Sequence, residues 1–139
     1  MCLCLIAQLR GHTAELSNCV WNFACELIAT SSLDSTACIW DMRQLDKTLY
    51  HIKDHTDEVL DVAFDSTGKR LATASNDCTA RVWDVYASAD TTARLWLVES
   101  GLCSQILAGH EGEVFSSAFN YSGDIILTAS KDNTCRLWR

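Results

Sequence analysis

The sequence predicts an all-β fold made of four-stranded antiparallel blades, about three of them with one strand left over. Three observations lead to this prediction. A nine-residue motif occurs four times, a histidine precedes three of the copies at a fixed distance, and the apolar stretches between them have the length of strands. Repeats of this kind are typical of β-propeller blades. An incomplete propeller is therefore expected, because closed ones have about four to eight blades.

The repeated motif carries serine, aspartate and tryptophan at fixed positions. Its copies cover residues 32–40, 75–83, 88–96 and 130–138. His12, His55 and His110 each stand 22 residues before the aspartate and 28 before the tryptophan of the copy that follows. Gapless agreement over this length indicates a true internal repeat.

Each repeat opens with six residues of strand length and strand composition. These first strands are expected at Leu16–Trp21, Val59–Phe64 and Val114–Phe119. A turn follows, with Gly68 and Gly123 in equivalent positions, where glycine allows a positive φ. The first repeat has Cys25 there, so its turn is expected to be either of another type or strained.

The remaining strands bring each full repeat to four. Second strands are expected at Leu27–Ser32, Arg70–Ser75 and 125–130, third strands at 36–40, 79–83 and 134–138, and fourth strands at 45–52 and 102–108. A further strand over residues 2–9 is expected to pair with the last blade. One domain over 1–139 is thus expected to contain repeats 11–53, 54–85 and 109–139 and a partial repeat 86–108.

These patterns resemble the WD-repeat family through Gly11-His12, Trp40-Asp41, Trp83-Asp84 and Gly109-His110. The resemblance implies a β-propeller in which histidine, serine, aspartate and tryptophan form a hydrogen-bonded tetrad inside each blade. The implied tetrads are His12, Ser32, Asp34 and Trp40; His55, Ser75, Asp77 and Trp83; His110, Ser130, Asp132 and Trp138; and an incomplete set of Ser88, Asp90 and Trp96. Because the constellation recurs with an indole as a fourth member, it indicates a structural network and not a catalytic triad.

The repeat spacing breaks after the second tryptophan. Trp40 and Trp83 are 43 residues apart, whereas Trp83 and Trp96 are only 13 apart. One hypothesis is that a repeat boundary near Val85 was lost from a longer WD-repeat protein, which would make this chain a splice form, an incomplete gene model or a truncated non-functional product. The alternative is a ring in which two copies pool their blades, since open blade edges are expected to allow self-association.

Composition excludes several classes of function. A net charge of -7 argues against nucleic acid as a partner. The eight cysteines include no C-x-x-C pair, so no metal, no cofactor and no disulfide framework is expected, and cysteine is interpreted as a small apolar residue in a reducing compartment. No apolar run approaches the roughly 20 residues that cross a membrane.

The family resemblance implies a rigid platform for other proteins, with contacts on the loops before the first strands and the turns between second and third strands. The residues expected there are Glu15, Ser17, Leu33, Glu58, Leu60, Asn76, Glu113, Phe115 and Lys131. Three glutamates in one repeated position predict an acidic rim beside apolar Leu60 and Phe115, which suits a basic protein partner. The other interpretation of the glutamates is that they are solvated loop charges.

The last blade is similar to that of the outer-arm dynein assembly factors with WD repeats, through residues 109–115, 118–123 and 131–139. This narrower resemblance implies a shortened adaptor that links axonemal dynein to intraflagellar transport, located in the cytoplasm and cilium. A substrate receptor of a ubiquitin ligase is the alternative, for which the scattered arginines Arg70, Arg81, Arg94 and Arg136 are weak support. An enzyme would need a unique polar constellation, and every polar constellation here is repeated.

Overall fold

Eleven short β-strands and no helix make up the part of the chain that the structure describes. The structure is a computed structural model, and it describes residues 5–85 and 103–139. The strands are β1 (Leu16–Trp21), β2 (Leu27–Ser32), β3 (Ala37–Asp41), β4 (Tyr50–Ile52), β5 (Val59–Phe64), β6 (Arg70–Ser75), β7 (Thr79–Asp84), β8 (Cys103–Ala108), β9 (Val114–Phe119), β10 (Ile126–Ser130) and β11 (Cys135–Trp138). They form three antiparallel sheets, β1–β2–β3–β4, β5–β6–β7–β8 and β9–β10–β11, called blades one, two and three. The predicted all-β blade architecture is confirmed.

The strand boundaries follow the sequence pattern closely, with one clear exception. The predicted first strands coincide with β1, β5 and β9. The fourth strand predicted over 45–52 is shortened to Tyr50–Ile52. Residues 45–49 form turns and bends instead, and pairing with β3 starts with the bond from Leu49 N to Ile39 O.

Blade two is completed by a strand that lies far along the chain. β7 pairs directly with β8, from Thr79 opposite Ala108 to Trp83 opposite Cys103. The predicted partial repeat 86–108 therefore supplies β8 as the outer strand of blade two. Its motif copy, with Ser88, Asp90 and Trp96, lies outside the described residues.

Blade three has three strands in the part of the chain that the structure describes. The closing strand predicted over residues 2–9 does not form over 5–9, and residues 2–4 lie outside the described range. The reason is that His12 is bonded to Asp34 and Thr30 of blade one, while blade two packs between blades one and three. Residues 5–12 therefore lie with blade one, on the opposite side of the arc from β11, whose outer edge has no partner strand among the described residues.

Two apolar clusters hold neighbouring blades together. The first joins Leu27, Ala29, Ala37, Ile39 and Ile52 of blade one to Val59, Val62, Leu71, Trp83 and Val85 of blade two. The second joins Ala74, Ala80, Val82 and Leu107 of blade two to Val114 and Ile126 of blade three. Successive side chains of a strand point to opposite faces of the sheet. A blade can therefore present apolar side chains to a neighbouring blade on each of its two faces. Burial of these faces is the main attraction between blades.

A single carboxylate joins the first strands of all three blades. Asp61 Oδ1 on β5 accepts from Asn18 Nδ2 of blade one at 2.5 Å, and Asp61 Oδ2 accepts from Ser117 N of blade three at 3.0 Å. Asp61 Oδ1 also accepts from Val62 N at 2.9 Å. The middle blade is thus tied to both neighbours by charge-assisted hydrogen bonds.

The turns between first and second strands have one geometry in all three blades. The N–H groups of residues 25, 68 and 123 donate to the carbonyls three residues earlier at 3.0 Å. The φ angles are 56° at Cys25, 70° at Gly68 and 72° at Gly123. Blade one therefore has the same turn type as the others, with a side chain in the left-handed region, and the expected strain is located at Cys25.

Replacing Cys25 with glycine is expected to raise the free energy of unfolding by about 0.5 to 1 kcal/mol. The left-handed conformation disfavours a residue with a Cβ by about 1–2 kcal/mol, and the greater freedom of glycine in the unfolded chain offsets part of the gain. Urea unfolding of Cys25→Gly and Cys25→Ala measures the effect, because alanine removes the thiol and keeps the Cβ. Equal stabilisation by both substitutions would attribute the gain to the thiol and contradict the assignment of strain.

Candidate protein-interaction face

Each blade contains a hydrogen-bonded network that links its histidine loop to its second and third strands. In blade two, Trp83 Nε1 donates to Thr73 Oγ1 at 3.0 Å, and that hydroxyl lies 2.7 Å from His55 Nε2. His55 Nδ1 lies 2.7 Å from Asp77 Oδ2. The indole N–H can only donate, so the threonine hydroxyl can donate to Nε2 while Nδ1–H donates to the carboxylate. The same bonds occur among His12, Thr30, Asp34 and Trp40 and among His110, Thr128, Asp132 and Trp138.

The predicted tetrads need one correction, since a threonine takes the place given to the serine. Ser75 Oγ accepts from Asp77 N at 3.1 Å and donates to the backbone carbonyls of the histidine loop, and Ser32 and Ser130 make the corresponding bonds. The strand register explains the difference: Trp83 pairs opposite Leu71, which puts Thr73 two residues away and Ser75 four. Four strand residues span roughly 13 Å, beyond the reach of the indole. A threonine 18 residues after each histidine was the available signal.

The network aspartates are partly buried and remain charged. Burial raises the pKa of Asp77, but hydrogen bonds from His55 and Thr79 outweigh it, and the pKa lies well below the usual range. Burial also raises the pKa of Asp34, and bonds from Thr36, Thr13 and His12 bring it well below the usual range. Each carboxylate therefore fixes both the tight turn that contains it and the histidine loop above that turn.

Stability is expected to fall at acid pH because of these aspartates. A carboxyl with a depressed folded pKa contributes stability that is complete above the unfolded pKa of about 3.9 and is lost as pH falls through the folded pKa. Asp77→Asn should therefore be less stable than the parent at pH 7 and show a shallower decline below pH about 4. Unfolding free energies measured at pH 7 and across the acid range test this. Parallel curves for the two proteins would contradict it.

The loop face is the surface formed by the loops before β1, β5 and β9 and the turns β2–β3, β6–β7 and β10–β11. In each blade a turn residue donates its backbone N–H to the carbonyl of the loop glutamate, at 2.9 to 3.0 Å. The bonded pairs are Leu33 with Glu15, Asn76 with Glu58, and Lys131 with Glu113. Six of the nine residues predicted for this face are thus brought together in pairs by one repeated backbone bond.

The other three predicted residues share a structural feature that the sequence did not show. Ser17, Leu60 and Phe115 each lie at a β-bulge near the start of the first strand of their blade. Bulges redirect side chains. Phe115 is 47% exposed and Leu60 is half-buried. Ser17 Oγ instead donates to Val59 O across the junction of blades one and two, so it serves packing as well.

The predicted acidic rim is not uniform. Lys131 Nζ lies 2.9 Å from Glu113 Oε1, so the third glutamate is paired with a cation at the same face. Glu15 and Glu58 have no side-chain partner among the described residues. The unpaired negative charge is therefore concentrated on blades one and two, and the exposed apolar ring is on blade three.

The described arginines are engaged within the chain. Arg81 lies 2.7 Å from Asp54, Arg70 lies 3.5 Å from Asp65, and Arg136 lies 3.9 Å from Asp132. Arg70 also lies over the Phe119 ring and donates to Gly123 O, across the junction of blades two and three. Arg94 is outside the described residues. These three arginines do not form the basic pocket that a ubiquitin-ligase substrate receptor would use.

The cysteines differ in their surroundings. Cys38 is fully buried, and burial raises the pKa of its thiol to about 12, which fits an unreactive apolar residue. Cys19, Cys25 and Cys135 are exposed, so the interpretation as small apolar strand residues does not extend to them. Residues 5–85 and 103–139 contain no group of three or more ligands that could hold a metal ion. Over the same residues, no helix has the length and apolar character needed to cross a membrane.

Comparison with known proteins identifies three repeats. The family model described as WD domain, G-beta repeat matches residues 3–41, 46–84 and 101–139. The chain is 31% identical over 130 residues to the F-box-like/WD repeat-containing protein TBL1Y of Homo sapiens, covering 94% of this chain and 25% of that protein. It is 51% identical over 53 residues to WD repeat-containing protein 37 of Homo sapiens, covering 38% of this chain and 11% of that protein. The chain thus spans a quarter or less of these relatives, and neither carries the name of a dynein assembly factor.

Proposed function

Since the chain belongs to the WD domain, G-beta repeat family, we propose that it is a non-enzymatic scaffold that binds other proteins through its loop face. WD repeats generally mediate contacts between proteins, and the three blades here are complete enough to build that face. The observation that carries the proposal is the combination of Glu15, Glu58 and Phe115 on one surface. Backbone bonds from the neighbouring turns to Glu15, to Glu58 and to Glu113 near Phe115 hold the loops of this surface together.

The chemistry of the loop face indicates which kind of protein segment would bind there. Glu15 and Glu58 offer carboxylates on neighbouring blades, and Phe115 offers an exposed aromatic ring. A protein segment that combines lysine or arginine with an apolar side chain would satisfy both. The apolar contact would supply affinity, and the carboxylates would supply orientation and speed of association.

Reversing the two unpaired charges is expected to slow association with such a partner about tenfold or more at low salt. The relevant variant is Glu15→Lys combined with Glu58→Lys. Association rates measured by surface plasmon resonance at two ionic strengths test this, since added salt should narrow the difference. Glu26→Lys, in the turn at the other end of blade one, makes one such charge reversal away from the loop face and is compared with Glu15→Lys alone. An equal effect of the control would indicate that net charge, and not the face, sets the rate.

We further propose that the partners include subunits of axonemal dynein and of intraflagellar transport, in the cytoplasm and cilium. The support is the similarity of blade three to the outer-arm dynein assembly factors with WD repeats, over residues 109–115, 118–123 and 131–139. Affinity purification from ciliated cells tests it, with the double charge reversal as the matched control. Dynein or transport subunits retained by the parent and lost by the variant are the expected result. Ubiquitin ligase subunits in their place would overturn this assignment and leave the scaffold role intact.

A further inference from the structure

The two junctions between blades use the same sequence positions. In the first, Ala29, Ala37 and Ile39 of blade one pack with residues of blade two. In the second, the equivalent positions of blade two are Ala72, Ala80 and Val82. Ala80 and Val82 pack with residues of blade three, and Ala72 is buried on β6 opposite Val82. Each junction therefore joins one face of a blade, called its leading face, to the opposite face of the next blade, called the trailing face of that blade.

The leading face of blade three has no cover among the described residues, although its side chains are apolar. Leu127 is 42% exposed and Leu137 is 73% exposed, whereas their counterparts in blade one, Ala29 and Ile39, are 0% and 1% exposed. Cys135, also exposed, is the counterpart of buried Ala37. These side chains occupy the positions that hold junction residues in blades one and two.

The trailing face of blade one is also partly uncovered among the described residues. Leu16 is 58% exposed and Trp21 is 52% exposed. Their counterparts in blade two, Val59 and Phe64, pack in the first junction. An open pocket at this face is lined by Leu16 and Trp40. Within the part of the chain that the structure describes, one leading face and one trailing face therefore have no neighbouring blade.

We propose that two copies of this chain join head to tail, with the leading face of each blade three packed on the trailing face of the other copy's blade one. A head-to-tail contact gives a closed ring when its rotation closes, and otherwise a filament. Two copies supply six blades, which lies within the range of about four to eight for closed propellers, whereas three copies would exceed it. In such a ring each leading face meets one trailing face and none is left over.

The internal junctions also predict which atoms meet between copies. A Cβ placed on Gly68 would lie 3.5 Å from the Asn22 Cβ of the preceding blade, and one on Gly123 would lie 3.8 Å from the Asp65 Cβ. By the repeat, Cys25 of one copy stands where Gly68 stands, and Asn120 of the other copy stands where Asn22 and Asp65 stand. A disulfide needs a Cβ to Cβ distance of about 3.5–4.5 Å. Asn120→Cys should therefore cross-link to the native Cys25 of a second copy.

The test combines mass and cross-linking on the 139-residue chain. Sedimentation equilibrium is expected to give about twice the single-copy mass of 15.4 kDa, and Leu137→Glu should return it to 15.4 kDa with the blades still folded, because Leu137 is exposed in one copy. Leu49→Glu, at an exposed leucine outside both faces, should leave the double mass unchanged. A mass of 15.4 kDa at all concentrations, or an open series of larger assemblies, would overturn the proposal.

Cross-linking distinguishes this head-to-tail arrangement from other ways in which two copies could associate. Mild oxidation of Asn120→Cys should produce a covalent pair that is lost when Cys25→Ser is added. A pair that persists without Cys25, or a double mass without cross-linking in the single variant, would show that the copies meet through other surfaces. Binding to a basic partner through the loop face does not depend on this outcome, since neither Leu137 nor Asn120 lies on that face.

Discussion

Thr73→Val is expected to lower the free energy of unfolding by about 2–6 kcal/mol, because it leaves two buried polar groups without partners at about 1–3 kcal/mol each. Thr73 is fully buried, and its hydroxyl serves both Trp83 Nε1 and His55 Nε2. Valine has nearly the same shape, so packing changes little. Denaturant unfolding of purified protein measures the loss.

Thr73→Ser is the matched control, because it keeps the hydroxyl and removes only a methyl group. Its loss should be about 1 kcal/mol, in line with one buried methyl. If valine and serine at this position were equally damaging, the network would contribute little beyond packing. Ser75→Ala gives a second comparison, since Ser75 holds the turn without contacting the indole.

Asp61→Ala is expected to have the second-largest effect, about 2–5 kcal/mol, since hydrogen bonds to a charged group contribute about 1.5–3 kcal/mol each. The carboxylate accepts from Asn18 of blade one and from Ser117 of blade three. In repeat architectures, stability is the sum of the units and the terms between neighbours. Loss of this tie should therefore weaken the coupling of blades as well as their total stability.

Two observables separate these consequences. The midpoint of urea unfolding should fall, and the transition should broaden, because blades that are less coupled unfold less cooperatively. Asp46→Ala removes the same charge from an exposed loop position and should change neither quantity. A lower midpoint with an unchanged slope would show that Asp61 stabilises its own blade and does not couple blades.

The strands were predictable because their signal is local. β1, β5 and β9 follow directly from six-residue apolar runs, and the histidine spacing fixes the frame of each blade. The role of Thr73 was not predictable in the same way, because serine and threonine both carry a hydroxyl and only the β6–β7 register shows which one the indole reaches. The strand predicted over 2–9 does not form over residues 5–9 for a related reason: its pairing depends on how far around the arc the third blade lies.

The loop face was also predictable only in part. The positions of Glu15, Glu58 and Glu113 follow from the repeat, since they stand at one distance after each histidine. The pairing of Glu113 with Lys131 depends on a turn 18 residues away and needs the fold. The bulge that turns Phe115 outward likewise depends on strand pairing and leaves no mark in one sequence.

The direct pairing of β7 with β8 bears on how this chain tolerates its irregular repeat. The connection from β3 to β4 covers residues 42–49, and that from β7 to β8 covers 85–102. The entropy of closing a loop grows only with the logarithm of its length, and each doubling disfavours closure by about 0.6 kcal/mol. The longer connection between β7 and β8 therefore changes the free energy of unfolding little compared with the buried hydrogen-bonded networks of the blades. This weak dependence on loop length is enough for blade two to keep its four strands around an extra copy of its own motif.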